Sequence, residues 1–249
     1  MKNNIQAFSL LASFILVAIA FQGCKTTHVV HIHNGKPVEP AHPQELLPVD
    51  ITMIIDRSGS MGNLQEQVIA SYNEFITDQQ SVEGEASISL IQFDDAFEPN
   101  YTGVDIQKAT ELNSTSYVPR GSTALFDAIG RAITEAKTRI QPGSSDVVFV
   151  ITTDGMENAS KEYTGTTVKE MIADCESQYG WHFMYLAASD EAFGQYETIG
   201  IDRASCFQIK ATPESWGAAQ KNVSQMLIDY RDDGARSQQN LLFDKGDEE

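Results

Sequence analysis

Residues 49–62, VDITMIIDRSGSMG, constrain this chain more than any other stretch. The apolar run Ile51, Met53, Ile54 and Ile55 has the length of a buried strand. It stops at Asp56-Arg57-Ser58-Gly59-Ser60, where one carboxylate and two hydroxyls alternate, and a helical pattern follows at once. A strand that turns straight into a helix puts those oxygen-bearing side chains on one loop at the carboxyl edge of a sheet, where open α/β sheets place their ligands. Small oxygen donors with no His or Cys among them suit a hard cation such as Mg2+ rather than zinc or copper.

The rest of the pattern alternates strand and helix. Leu64, Val68, Ile69, Tyr72, Phe75 and Ile76 recur at helical spacing. Residues 85–93 alternate as a strand, and 98–106 read as its hairpin partner or an edge strand. A Pro/Gly loop over 117–123 leads into a helix with Phe126, Ile129, Ile133, Ala136 and Ile140 on one stripe. Residues 146–153 hold VVFVIT, an apolar run of the parallel-sheet type, and end at Thr153-Asp154-Gly155. A helix over 166–179, a strand over 181–187, a helical piece near 191–198, a strand over 205–210 and a helix from Thr212-Pro213-Glu214 to about 230 complete the pattern. Strands alternating with amphipathic helices predict one doubly wound α/β domain over 48–230. Its sheet is expected to be mostly parallel, with one antiparallel edge strand and helices on both faces. Residues 231–249 read as an acidic flexible tail.

The amino-terminal segment has a different character. Lys2 precedes an apolar stretch, 7–21, too short for a comfortable membrane span, and Gly23-Cys24 follows it. That pattern resembles a bacterial lipoprotein signal, with residues 1–23 removed and Cys24 lipidated. Phe21 and Gln22 depart from the usual residues upstream of such a cleavage point, and Ala18-x-Ala20 is a rival site that would release a soluble protein. Residues 24–47, with Pro37, Pro40, Pro43 and His28, His31, His33 and His42, read as a tether; its histidines are expected to be solvated rather than a metal site. The expected location is the bacterial cell envelope, lipid-anchored, with the outer membrane favoured because Lys25 rather than Asp follows Cys24.

Seventeen Lys and Arg against 35 Asp and Glu give a formal charge of −18, with no basic run. Nucleic acid is therefore an expected non-partner.

Three loops carry the chemistry. The first supplies Asp56, Ser58 and Ser60, the second Thr123, the third Asp154. Here the chain resembles the von Willebrand factor type A domain, whose metal-ion-dependent adhesion site uses D-x-S-x-S, a Thr from a second loop and an Asp from a third. The resemblance implies that Ser58, Ser60 and Thr123 offer hydroxyl oxygens to Mg2+, with Mn2+ or Ca2+ able to substitute. Asp56 and Asp154 would stand close by, partly acting through water. Neutral hydroxyls leave such an ion electrophilic, with room for an Asp or Glu carboxylate from a partner protein. The resemblance also implies that the last helix, 212–230, shifts when the site is occupied in some relatives.

Each residue has a plainer role open to it. Asp56 and Ser58, or Thr123, would serve as helix caps, and Asp154-Gly155 as a turn pair. Arg57, Asp94, Asp95, Glu157 and Asn158 are expected around the rim, as partner contacts or as solvated surface. Cys175 and Cys206 are expected as buried free thiols, with pairing left open. Two other functions compete with a non-enzymatic binding module. A metal-dependent hydrolase is disfavoured: Ser58 stands where a phosphate-transfer enzyme of this kind would carry a second Asp, and no phosphate-binding loop or nucleophile elbow occurs. The folded region's one histidine, His182, sits inside an apolar strand. The other competitor is a structural subunit whose metal only staples loops.

Overall fold

The computed structural model describes residues 46–232 and 241–242, together with two very short strands upstream. These, β1 (Ile32–His33) and β2 (Lys36–Pro37), pair antiparallel within the stretch read as a tether. Cys24 and the apolar segment before it lie outside the described residues.

The hub of the main sheet is β3 (Val49–Asp56), buried along its whole length. Parallel neighbours flank it, β4 (Ala86–Phe93) on one side and β6 (Asp146–Thr153) on the other. A strand covered on both faces needs apolar side chains pointing both ways, so Ile54 packs on one face while Ile51, Met53 and Ile55 pack on the other. Beyond β6 lie β7 (His182–Ala187) and β8 (Cys206–Gln208), also parallel. At the opposite edge β5 (Phe97–Asp105) returns antiparallel from β4. The order is β5-β4-β3-β6-β7-β8. The doubly wound, mostly parallel sheet with one antiparallel edge strand is therefore the observed fold.

Two layers of helix cover the sheet. On one face α1 (Gln65–Ser81) and α6 (Pro213–Asp232) bury Val68, Phe75, Trp216 and Val223 against Met53, Ile55, Val148 and Val150. On the other, α2 (Leu125–Arg139) and α3 (Gly165–Tyr179) bury Leu125, Ile129, Ile133, Val168 and Ile172 against Ile54, Phe149 and Ile151. The inward stripe of α2 starts at Leu125 rather than Phe126, which is only partly buried. Two short helices, α4 (Asp190–Phe193) and α5 (Gln195–Ile199), carry the chain from β7 to β8. Cys175 and Cys206 are both buried and free. Among the described residues no helix is long and apolar enough to cross a membrane.

At the carboxyl end α6 runs to Asp232, two residues past the expected boundary at 230; Arg231 is buried, and Leu241 is buried within the α1/α6 layer. Arg231 explains why. Its guanidinium donates to the Gln79 carbonyl at 2.6 Å, to Gln79 Oε1 at 3.1 Å, and to the carbonyls of Val82 and Gly84 at 3.2 and 3.3 Å. Those carbonyls close the carboxyl end of α1, where backbone acceptors lack helical partners and favour a cation. Gln79 also donates to the Ser224 carbonyl at 3.0 Å, so α1 and α6 are joined by buried polar contacts as well as apolar ones.

Arg231→Ala should therefore lower unfolding free energy by about 1.5–3 kcal/mol, the range for losing hydrogen bonds to a charged group. Denaturant unfolding measures it, and a change within about 0.5 kcal/mol would show that α6 needs no such clamp.

Candidate metal centre

Parallel pairing brings the candidate residues together. Ile55 of β3 lies opposite Thr152 of β6, so both strands end at one edge, with Asp56 closing the first and Thr153-Asp154 the second. The amino end of α2 arrives at the same edge with Thr123 two residues before the helix. Three chain segments far apart in sequence thus meet because parallel strands share their carboxyl ends.

The five side chains converge. Ser58 Oγ and Ser60 Oγ are 3.1 Å apart, and Ser60 Oγ donates to Asp154 Oδ1 at 2.6 Å. Gly155 marks the centre of the rest. A methyl group placed on it would stand 3.1 Å from Thr123 Oγ1, 3.6 Å from Ser60 Oγ and 3.9 Å from Asp56 Oδ2. Absence of a side chain at residue 155, in the third loop, therefore leaves a small cradle faced by oxygens of the first two loops, with Asp154 of the third joined to it through Ser60. The alternative role as helix caps is not the one observed. Ser58 caps nothing with its hydroxyl, and the cap positions of α1 and α2 are Leu64 and Ala124, neither with a capping side chain. Asp56 Oδ1 accepts from the Ser58 amide at 2.6 Å, which tightens the loop.

Burial sets the electrostatics. Asp56 is fully buried and, among the described residues, no Lys, Arg or His is paired with it; its Oδ2 accepts from the Thr153 hydroxyl at 2.6 Å. Desolvation raises its pKa from 3.8 to about 6, against the opposing effect of the Thr153 and Ser58 hydrogen bonds. Asp154 is raised as well, chiefly by burial. Two carboxylates and three hydroxyls with no neutralising side chain among the described residues fit a hard divalent cation, which takes oxygen ligands and would supply the missing positive charge. Among the described residues no group of three or more His, Cys, Asp or Glu side chains is placed to hold a metal, so any ion here depends on the hydroxyls.

The loops around the cradle are held by residues that pattern reading did not single out. Tyr117 donates its hydroxyl to the Asp56 carbonyl at 2.6 Å from a fully buried position. The Arg120 amide donates to the Arg57 carbonyl at 2.8 Å, and the Gly59 amide to the Gly121 carbonyl at 3.2 Å. Arg57 and Arg120 each donate through Nε to Asp94 Oδ2 at 2.9 Å, and both also reach Glu98, at 2.7 and 2.5 Å. Nothing in the spacing of Thr153, Tyr117, Glu98 or Arg120 signals these contacts, which join residues of different loops and strands.

The expected rim divides accordingly. Arg57 and Asp94 are not rim contacts: they are 5% and 1% exposed, because each is the other's charge partner under the loop. Glu157 is not free either, since both its oxygens accept from Phe126, Ala159 and Ser160. Asn158 is exposed but gives its Oδ1 to the Thr123 amide at 2.9 Å. Asp95 stands exposed at the edge, beside Gly121. His182 begins β7 and so sits at the edge opposite the two serines, out of reach as their base.

Residues 50–224, well over half of the 249, match the von Willebrand factor type A domain. The chain belongs to that family. Solved structures agree on the fold. The pilus adhesin SpaC from Lactobacillus rhamnosus GG, in its open conformation, aligns with a TM-score of 0.58 and 13% identity over 74% of this chain and 30% of its own. Proximal thread matrix protein 1 from the mussel byssus, with a zinc-occupied MIDAS motif, gives 0.53 and 14% over 74% of this chain and 46% of its own. The vWF domain of the type V pili tip protein Mfa5 from Porphyromonas gingivalis gives 0.51 and 16% over 73% and 95%. The chain thus spans less than half the length of the mussel protein and of the SpaC structure. Comparison with functionally curated proteins returns no significant match.

In this von Willebrand factor type A domain the raised carboxylates give a pH test. With a folded pKa of about 6 against 3.8, the metal-free native state binds more protons than the unfolded chain between those values. Metal-free stability from Asp56 is therefore greatest at low pH and falls as pH rises through 6. A divalent cation needs the ionised form and competes with that proton, so its binding weakens about tenfold between pH 7.5 and 5. Saturating Mn2+ should raise the melting temperature clearly at pH 7.5 and little at pH 5. An equal shift at both would show that no raised carboxylate takes part.

Proposed function

We propose that this domain is a divalent-cation-dependent binding module that engages an acidic side chain of a partner protein. The observation that carries the reading is the oxygen-lined cradle at Gly155, into which Asp56, Ser60 and Thr123 face, with Ser58 and Asp154 joined to it through Ser60. Ser58, Ser60 and Thr123 would hold the cation, and Asp56 and Asp154 would balance its charge from beside it. Mg2+ is the proposed resident ion, with Mn2+ or Ca2+ substituting; the zinc-occupied motif of the mussel protein supports a divalent ion of broader identity. When bound, the ion supplies one open coordination position for a carboxylate oxygen. The exposed rim about it, Gly59, Ser60 and Gly121, leaves that position accessible from solvent.

Net charge makes the ion decisive. A chain of charge −18 repels an acidic partner at long range, so a carboxylate would approach productively only where a local positive charge is exposed. The pilus adhesin SpaC and the pili tip protein Mfa5 among the structural neighbours support an adhesive or assembly role. Lipidation at Cys24, with residues 24–47 as tether, would place the module on the cell envelope within reach of such a partner.

Co-purification from envelope extract, with and without EDTA, tests the reading on the wild type, Asp56→Ala and Gly155→Ala. Asp56→Ala removes a charge balancing the ion, and Gly155→Ala fills the cradle with a methyl 3.1 Å from Thr123 Oγ1. A partner retained only by the wild type in Mg2+, and released by EDTA, is the expected result. Retention by both variants in EDTA would defeat the proposal.

A further inference from the structure

The amino end of α2 is capped by a different loop. Its cap residue, Ala124, has no side-chain acceptor. The two amides that a capping side chain ordinarily takes, those of the second and third helical residues, are nonetheless satisfied. Phe126 donates to Glu157 Oε2 at 2.9 Å, and Asp127 donates to Ser160 Oγ at 3.0 Å. Glu157 also binds its own loop: its Oε2 accepts from the Ser160 hydroxyl at 2.6 Å, and its Oε1 from the amides of Ala159 and Ser160 at 2.9 and 2.7 Å. One carboxylate thereby closes the loop that follows Asp154-Gly155 and seats it on the helix that follows Thr123. A carboxylate at this end also suits the helix dipole.

The same loop grips Thr123 from both sides of its peptide. The Thr123 amide donates to Asn158 Oδ1 at 2.9 Å, and the Thr123 carbonyl accepts from the amides of Asn158 and Ala159 at 2.9 and 3.2 Å. With the helix capped elsewhere and its backbone fixed, Thr123 leaves its hydroxyl facing the Gly155 cradle.

From this arrangement we infer that Glu157, assisted by Ser160 and Asn158, is the positioning residue that presents the Thr123 hydroxyl to a divalent cation. It acts through Thr123 and touches no ligand itself. The inference rests on the cation reading given above and adds to it the residue that sets one of the three loops. An anchor of this kind behaves as an outer-shell group, whose loss weakens metal affinity by roughly ten- to hundredfold.

The test is a double-mutant cycle on the full chain, with Mn2+ as the probe. The wild type, Glu157→Ala, Thr123→Ala and the pair combined are compared by calorimetric Mn2+ affinity and by melting temperature without metal. Glu157→Ala should weaken Mn2+ binding about tenfold or more when Thr123 is present, and by no more than about twofold once Thr123 is Ala. A role in folding alone would instead lower the metal-free melting temperature while leaving Mn2+ affinity unchanged, or weaken it equally in both backgrounds; either result overturns the inference. If Glu157→Ala does not fold, Glu157→Gln is read in the same cycle, since it keeps one acceptor oxygen and the side-chain shape. A wild type that does not bind Mn2+, or Thr123→Ala binding as tightly as the wild type, would remove the cation reading itself. Wild-type binding weakened by Thr123→Ala but not by the Glu157 variants would remove only the assignment of Glu157.

Discussion

Asp56 is a carboxylate carried into the interior with no cationic side chain among the described residues to meet it. Other buried acids show how unusual that is. Asp50 is held by both terminal nitrogens of Arg139, and Asp94 by Arg57 and Arg120. Asp127 accepts from three consecutive amides, those of Lys161, Glu162 and Tyr163, at 2.8–2.9 Å. Asp56 has one hydroxyl and one amide, with a second raised carboxylate, Asp154, close by. A buried charge without compensation is strongly disfavoured, and the group either takes up a proton or acquires a counter-ion. The oxygens of Ser58, Ser60 and Thr123 make the second course chemically natural.

The fold keeps that arrangement in place. Central strands β3 and β6 are buried on both faces, so their carboxyl ends cannot slide past one another without exposing a core of Ile, Val and Phe. Loops that leave those ends are not rigid by themselves. They become so through contacts between loops: Arg57 and Arg120 share Asp94 and Glu98, Tyr117 holds the Asp56 carbonyl, and Glu157 holds the start of α2. Oxygens of these five side chains are thus brought together in advance, which would lower the entropy lost on binding the proposed cation.

Much of this was legible in the chain itself. Apolar periodicity reports which faces are buried, so β3, β6 and the α1, α2 and α3 stripes could be read directly, and strand–loop–helix boundaries located Asp56, Thr123 and Asp154. The misreadings share one cause. Arg57, Asp94 and Glu157 are charged loop residues, and charge in a loop reads as solvent exposure unless the partner is known. Their partners lie 37 positions apart for Arg57 and Asp94, and 31 for Phe126 and Glu157, beyond any local pattern. Arg231 was missed for the same reason, since the α1 carbonyls it serves lie about 150 positions upstream.

The central claim is that oxygens from three loops share one cation, and diffraction tests it most directly. Crystals grown with Mn2+ and measured at an anomalous wavelength should show a single strong peak within about 2.5 Å of the Ser58, Ser60 and Thr123 hydroxyl oxygens. Asp56 and Asp154 should stand immediately behind it. A well-occupied Mn2+ peak elsewhere, with these five side chains unchanged and no density between them at saturating metal, would contradict the account.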